Sequence, residues 1–249
     1  MMTPNDRSLS NRCGAKLAAG FALSLLVTAA SGFGAMTNVV TAAGGGAKSD
    51  RIVILGNSIT IHGPSAKIGW TNNCGMAASS LDRDYAHLLV ASLADANGKK
   101  PEALIGSLYE FEKQYTNYDA VAKLKRDIDF NAGLVIVAIG ENVTVAKAED
   151  QASFKAGLVK ILSLLRQDGH ATVFVRSCFW PNAVKDGLLK QAADETGCRF
   201  VDIGALGKDE SNYARSERTW ASAGVGMHPG DKGMRAIADA LLAAIRNRK

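Results

Sequence analysis

Short apolar runs alternate with amphipathic stretches along the chain. An apolar run that ends in a turn is typical of a buried parallel strand, and apolar residues spaced three and four apart are typical of a helix. This pattern predicts strands at residues 52–55, 103–105, 134–138, 172–175 and 199–203. It predicts helices at residues 82–96, 109–126, 150–167, 182–196 and 229–248, the second with a break near Asn117.

The order of these elements predicts the fold class. Strands that alternate with helices form a parallel sheet with right-handed crossovers and helices on both faces. We therefore predict an α/β protein, a flavodoxin-like three-layer α/β/α sandwich with a central parallel sheet of about five strands. The glycine run at residues 44–46 does not follow a strand, which argues against a nucleotide-binding loop.

The N-terminal segment has the pattern of an export signal. Arg7, Arg12 and Lys16 precede an apolar stretch at residues 17–30, and small residues follow it. We predict an export signal or an N-terminal anchor at residues 1–43, a flexible lead-in at 44–50 and one domain at 51–249. The unbroken apolar core is short for a membrane span, which favours cleavage. We expect a periplasmic or extracellular protein with no stable membrane insertion after cleavage.

Composition and charge narrow the classes of partner. The 249 residues include 29 basic and 24 acidic side chains, a formal net charge of +5, and no run of five like charges. A nucleic-acid surface is usually more basic and more clustered. We therefore expect no nucleic-acid partner.

Three cysteines lie outside the N-terminal segment. Cys178 follows one predicted strand and Cys198 precedes the next, so these two could form a disulfide in an exported protein. One cysteine would remain free, and the sequence leaves open which one. We interpret Cys74 as a small buried residue rather than a nucleophile.

A candidate nucleophile follows the first strand, which runs directly into Gly56-Asn57-Ser58. In open α/β sheets, ligands bind beyond the carboxyl ends of the strands, so Ser58 is placed to face a substrate. A serine hydroxyl needs a base to become a strong nucleophile. His228, just before the last predicted helix, is the first candidate and His62 the reserve. The tripeptide alone also fits an ordinary strand-ending turn.

Further blocks strengthen the interpretation. Residues 56–60 read Gly-Asn-Ser-Ile-Thr, residues 72–77 contain Gly75, residues 139–142 read Ile-Gly-Glu-Asn after a predicted strand, and His228-Pro229 precedes the last helix. In this order, from Arg51 to the C-terminal helix, they resemble the four blocks of the SGNH (GDSL-like) hydrolase family. Asn57 stands where the family has Asp.

The resemblance implies the SGNH hydrolase fold and an esterase site that requires no cofactor or metal. In the family, three donors hold the developing oxyanion: the serine N–H, a glycine N–H and an asparagine side chain. The matching residues are Ser58, Gly75 and Asn142. The same resemblance implies that Ser58 is the nucleophile and His228 the base.

The chain departs from the family at Val225, where the family has an Asp three residues before the histidine. The group that orients the imidazole is therefore open. A backbone carbonyl could do so in a Ser-His dyad. Glu141, beside Asn142 at a strand end, is our first side-chain candidate, and Asp231 is the second.

The expected function is a serine esterase that hydrolyses O-acyl esters, with O-acetyl groups on carbohydrate as the first choice, through an acyl-serine intermediate. Trp70, Trp180 and Arg176 lie in loops that suit substrate binding, so the expected partner is a small-molecule or glycan ester. The alternatives are a lipid or short-chain ester hydrolase, or a non-catalytic carbohydrate-binding protein on the same scaffold.

Overall fold

A five-stranded parallel sheet forms the centre of the molecule in a computed structural model, which describes residues 50–247. The strands lie in the order β2-β1-β3-β4-β5 and pair in parallel. Their bounds are β1 Arg51–Gly56, β2 Glu102–Ser107, β3 Leu134–Ala138, β4 Thr172–Arg176 and β5 Arg199–Val201. The predicted fold class is confirmed.

Helices connect the strands. They are α1 Tyr85–Asn97, α2 Tyr109–Gln114, α3 Ala120–Lys123, α4 Lys125–Asp129, α5 Ala148–Arg166, α6 Ala183–Thr196, α7 Ala223–Gly226 and α8 Asp231–Arg246. The predicted helix at 109–126 is interrupted between α2 and α3, which confirms the expected break near Asn117, and is divided again between α3 and α4. Asp119 starts α3, because its side chain accepts a hydrogen bond from Ala122 N at 3.2 Å.

Two apolar layers cover the sheet. Ile52 and Ile54 of β1 face the layer that contains α1 and α8, whereas Val53 and Leu55 face the layer that contains α5 and α6. Successive side chains of a strand point to opposite faces, so a strand covered on both sides is apolar throughout. The uninterrupted apolar run in β1 is explained by this position.

The last helix begins at a capped end close to His228. Glu217 Oε2 and Oε1 accept hydrogen bonds from Asp231 N and Lys232 N, each at 2.9 Å. These amides have no partner within the helix, so the carboxylate satisfies them and also opposes the positive end of the helix dipole. The cap therefore fixes the main chain that follows His228.

All three cysteines outside the N-terminal segment are free and buried. The suggested disulfide between Cys178 and Cys198 is absent. The thiol of Cys198 instead accepts a hydrogen bond from the Thr196 hydroxyl at 3.2 Å. Burial raises the pKa of Cys74 to about 11, with smaller contributions from nearby carboxylates, which agrees with a buried and unreactive thiol.

Within residues 50–247, no helix is both long and apolar enough to cross a lipid bilayer. The proposed export signal or anchor at residues 1–43 lies outside the described part of the chain, as does nearly all of the lead-in at 44–50.

Candidate active site

Ser58 lies in a tight turn at the carboxyl end of the inner strand β1. The Asn57 carbonyl accepts hydrogen bonds from Thr60 N and Ile61 N, both at 2.9 Å. A side chain at Gly56 would bring its Cβ within 1.9 Å of Thr60 Oγ1 and 2.7 Å of a main-chain oxygen of β3. Glycine at this position therefore allows the turn to fold closely against the neighbouring strand.

Ser58 and His228 meet across the sheet edge, as the sequence predicts. Ser58 Oγ lies 2.9 Å from His228 Nε2. The other ring nitrogen, Nδ1, lies 2.8 Å from the Gly224 carbonyl oxygen, which can only accept a hydrogen bond. The proton therefore belongs on Nδ1, and Nε2 is left to accept the serine proton.

His228 has the properties of a neutral base. Burial lowers its pKa, while the hydrogen bond to the Gly224 carbonyl opposes that shift. Trp180 packs edge-to-face against the imidazole, with ring centroids 5.2 Å apart and an interplanar angle of 87°. The tryptophan therefore covers one side of the base.

Glu141 does not orient His228, in contrast to the first prediction. Its side chain is only 2% exposed and pairs with Arg176, with Oε1 to Nη1 at 2.6 Å. It also accepts hydrogen bonds from Asn57 Nδ2 at 2.6 Å and Phe179 N at 3.0 Å. These partners occupy both carboxylate oxygens. The Gly224 carbonyl, one of the alternatives left open by the sequence, contacts the imidazole instead.

Asp231 is also engaged elsewhere. Its carboxylate accepts hydrogen bonds from Ser79 N at 2.7 Å and Ser79 Oγ at 2.6 Å. Val225, at the place of the family's Asp, is buried in α7, and its carbonyl accepts a hydrogen bond from His228 N at 3.0 Å. The short helix α7 thus holds the histidine through its main chain.

Asn142 lies in the same cleft as Ser58, where an oxyanion donor is expected. Its Nδ2 donates one hydrogen to Glu112 Oε2 at 2.8 Å, which leaves the second hydrogen for a ligand. Gly75 is placed differently from the prediction. Its N–H donates to the buried Asp84 carboxylate at 3.2 Å, so it is not available to an oxyanion. The role of the Ser58 N–H stays a prediction.

Of the three residues predicted to bind substrate, Trp180 alone lines the cleft. Trp70 is 3% exposed; it packs near Trp220 and donates from Nε1 to the His62 carbonyl at 3.0 Å. Arg176 is completely buried and serves as the counter-ion of Glu141. Trp70 therefore supports the loop behind His62, and no ligand can reach Arg176.

The cleft has a volume of about 610 Å³. Its lining comes from the carboxyl end of β2, from the segments that follow β1, β2 and β3, and from two later loops. The lining residues are Ser58, Ile61, His62, Gly63, Asn73, Met76, Gly106, Ser107, Tyr109, Asn142, Trp180 and His228. His62 Nδ1 donates a hydrogen bond to the Gly63 carbonyl, 2.6 Å away. His62 therefore lines the cleft, whereas His228 is the histidine in hydrogen-bond contact with Ser58.

Several of these residues were not found from the sequence. Gly106 and Ser107 end β2, the direct neighbour of β1, and Tyr109 follows it, so all three lie at the same carboxyl edge as Ser58. The small pair Gly106-Ser107 at a predicted strand end was the available signal. Asn73, two residues before Gly75 in the loop predicted to supply a donor, lines the cleft instead.

Glu112 is a further residue that the sequence did not reveal. It is 1% exposed, and its oxygens accept hydrogen bonds from the main-chain N–H groups of Gly140 and Asn142 at 2.7 and 3.2 Å. Burial, and then the nearby charge of Glu141, raise its pKa. Within the described residues, no group of three or more His, Cys, Asp or Glu side chains is arranged to hold a metal ion.

The fold and site geometry agree with a sequence comparison. The model of the GDSL-like lipase/acylhydrolase family matches residues 54–236, which cover most of the chain. The chain belongs to this family, as the resemblance of its blocks predicted. No curated protein sequence matches the chain significantly.

Solved structures of similar fold include esterases. A carbohydrate esterase, whose active site is described as displaying divergent catalytic and non-catalytic binding functions, is 12% identical over 80% of this chain and 65% of its own, with a TM-score of 0.52. An acetyl xylan esterase from Butyrivibrio proteoclasticus is 14% identical, covering 80% and 63%, with a TM-score of 0.46. A protein described as a GDSL-like lipase from Bacteroides uniformis is 11% identical, covering 79% and 95%, with a TM-score of 0.48.

The likeness to the first of these structures, at 12% identity, shows a shared fold alone. The chain spans slightly less than two thirds of the length of the two named esterases.

Proposed function

We propose that this protein is a serine esterase that hydrolyses O-acyl esters through an acyl-Ser58 intermediate. The observation that carries the proposal is the 2.9 Å contact between Ser58 Oγ and His228 Nε2 at the wall of an open cleft. A nucleophile within hydrogen-bond distance of a base, which a third group orients, is the arrangement that acyl transfer requires. Here the third group is the Gly224 carbonyl.

The reaction follows from the positions of these groups. His228 takes the proton of Ser58 as Oγ attacks the ester carbonyl, and the free N–H of Asn142 supports the oxyanion. The imidazolium then protonates the departing alcohol, which leaves an acyl-serine. His228 next activates a water molecule that releases the acid. The Gly224 carbonyl stabilises the imidazolium through its dipole rather than through a full charge.

We further propose that the substrate is an O-acetyl ester on carbohydrate. The cleft combines polar groups from His62, Asn73 and Ser107 with the aromatic rings of Tyr109 and Trp180. Such a mixture suits a sugar, which offers hydroxyl groups at its edge and C–H groups on its face. A long acyl chain would require a continuous apolar lining instead.

The test compares three substrate classes with the same enzyme: acetylated glycans, p-nitrophenyl acetate and p-nitrophenyl palmitate. Release of acetate from a glycan, with little palmitate release, supports the proposal, and both activities disappear in Ser58→Ala. Faster turnover of palmitate would contradict the carbohydrate assignment. Glycan binding without any Ser58-dependent turnover would contradict the esterase and favour a binding protein on this scaffold.

A further inference from the structure

Two buried carboxylates meet at the side chain that precedes the nucleophile. Asn57 Nδ2 lies 2.6 Å from Glu141 Oε2 and 3.2 Å from Glu112 Oε1. The asparagine is fully buried, and both glutamate side chains are almost completely so. An amide nitrogen has two hydrogens, and each of them is used by one carboxylate.

The orientation of the amide follows from a third contact. Asn57 Oδ1 accepts a hydrogen bond from Ile59 N at 3.2 Å. An oxygen must therefore face the Ser58 turn, and an NH₂ group must face the two glutamates. Asparagine satisfies all these contacts at once. An aspartate, the residue that the family pattern has here, could satisfy only the contact to the turn.

The bridge joins the two halves of the reactive centre. Glu112 also receives the N–H groups of Gly140 and Asn142 and the Asn142 side chain. Gly140 has a φ of +122°, a conformation that favours glycine, so the loop after β3 is sharply bent at this contact. Through Glu112, the turn that carries Ser58 is connected directly to the loop that carries Asn142.

We propose that Asn57 is a positioning residue whose amide bridges Glu112 and Glu141, and that this bridge sets the nucleophile Ser58 against the oxyanion donor Asn142. The inference rests on the proposed esterase function for its kinetic consequences. The bridge itself is a property of the fold and is tested separately by stability. Asn57 acts through Ser58 and Asn142 rather than on the substrate.

The geometry distinguishes the two glutamates. Glu141 uses Oε1 for Arg176 and Phe179, and Oε2 for Asn57 alone. A glutamine at 141 can therefore keep its oxygen on Arg176 and turn its NH₂ group towards position 57. Glu112 cannot be exchanged in this way, because both of its oxygens already accept hydrogen bonds from the 140–142 loop.

The experiment exchanges the acid and the amide. Asn57→Asp places a third carboxylate beside two others and removes both donated hydrogens. We expect kcat for p-nitrophenyl acetate to fall about 10²-fold with little change in KM, as for the loss of an oxyanion donor. We also expect the Tm to fall by about 5 °C or more. Asn117→Asp, the same change at an exposed position, is the matched control and should alter neither quantity.

The double variant Asn57→Asp/Glu141→Gln restores a hydrogen bond between the two positions in the reverse direction. We expect it to recover about 10-fold or more in kcat and to regain part of the lost Tm. Glu141→Gln alone should lower kcat and Tm about as much as Asn57→Asp does. It places two NH₂ groups against each other and leaves Arg176 without its partner charge. Asn57→Asp/Glu112→Gln should show no such recovery.

Protonation provides a second readout. Because Asn57→Asp crowds carboxylates that Arg176 only partly neutralises, its Tm should rise relative to that of the parent as the pH falls towards 5. Tyr85, Cys178 and His228 are further titratable groups that feel the charge of Glu141, and none of them is substituted in the variant. The exchanged double variant restores the number of carboxylates and should follow the parent more closely.

The outcomes separate this inference from the esterase proposal. If the parent has no Ser58-dependent turnover, the proposed function fails, and the Tm cycle alone decides the bridge. If Asn57→Asp matches the parent in Tm and kcat, or if both double variants recover equally, the bridge is wrong. Should Asn57→Asp be insoluble, a folded Asn57→Asp/Glu141→Gln supports the bridge and an insoluble one overturns it.

Discussion

At the scale of single residues, His228 is held by a main-chain carbonyl where the family has a carboxylate. A carbonyl dipole stabilises an imidazolium less than a full negative charge does, and burial lowers the pKa of His228 further. The same contact fixes the ring in the tautomer that leaves Nε2 ready for Ser58. The imidazole of His228 is therefore oriented as in a catalytic triad, but its charged form is stabilised less.

This environment makes a prediction about pH. The neutral imidazole is the active form, and a lowered pKa means that it loses its proton at a lower pH. We therefore expect the acid limb of kcat/KM to lie below pH ~6.5, the ordinary value for histidine. The profile is measured with p-nitrophenyl acetate.

Variants of Trp180, whose ring packs against the imidazole of His228, test the cause of this pKa shift. Trp180→Ala should move the acid limb to higher pH, since it lets water reach the imidazolium, whereas Trp180→Phe should move it less. An acid limb at or above about pH 6.5 in the parent would contradict the assignment of His228 as a partly buried, neutral base.

Residue types at strand ends predicted that Ser58 and Asn142 lie at one cleft, and the reason is topological. Ser58 and Asn142 follow β1 and β3, which are neighbours in the sheet, and parallel strands bring their carboxyl ends together. Arg176 also ends a strand, but it does not face the cleft as predicted. A polar residue at the end of a strand usually faces the cleft, but this one is turned inward by the charge of Glu141.

At the scale of elements, the loop before α1 shows where sequence patterns lose their power. Gly75 was expected at the oxyanion because of its place in a block, yet Asp84, the N-cap of α1, binds its N–H. The path of a loop depends on such distant partners, which periodicity does not record. The role of Glu112 was not predicted for a similar reason, because its hydrogen-bond partners Asn57, Gly140 and Asn142 come from other loops.

The N-terminus of α8 offers a test at this scale. Glu217→Ala removes the acceptor of two helix amides, at a cost of about 1 kcal/mol, and should lower the Tm by about 2–4 °C. Glu217→Gln keeps one acceptor and should lose roughly half as much. The change is measured by thermal unfolding.

Glu149→Ala is the matched control, because Glu149 is an exposed acid in the first turn of α5 with only a 4.0 Å ion pair to Lys147. It should change the Tm little. If the two alanine variants lost equal stability, the cap at Glu217 would not be the cause.

At the scale of the whole molecule, the apolar pattern predicted the architecture because both faces of the sheet are covered. Each central strand is then an unbroken apolar run, and each covering helix has one apolar stripe. The break near Asn117 was predicted, but the division of residues 109–129 into three short helices could not be predicted in the same way. It depends on the Asp119 cap and on the packing of Phe111 beneath this segment.

Export remains a proposal that the N-terminal sequence supports. If residues 1–43 are a cleaved signal, the protein recovered from the periplasm or medium will begin shortly after one of the small-residue sites near residues 31–43. Intact-mass measurement and N-terminal sequencing give this result directly. A full-length chain that stays in the membrane fraction would indicate an anchor, and one that stays in the cytoplasm would contradict export.

The most direct test of the central claim is to identify the residue that a fluorophosphonate acylation mimic modifies. The account predicts a single modified peptide with the phosphonate on Ser58, absent in Ser58→Ala and formed about 10³-fold more slowly in His228→Ala. Peptide mass spectrometry locates the adduct, and the rate of labelling measures the contribution of the base. Modification of another residue, or labelling of Ser58 at an unchanged rate without His228, would contradict the Ser58-His228 mechanism.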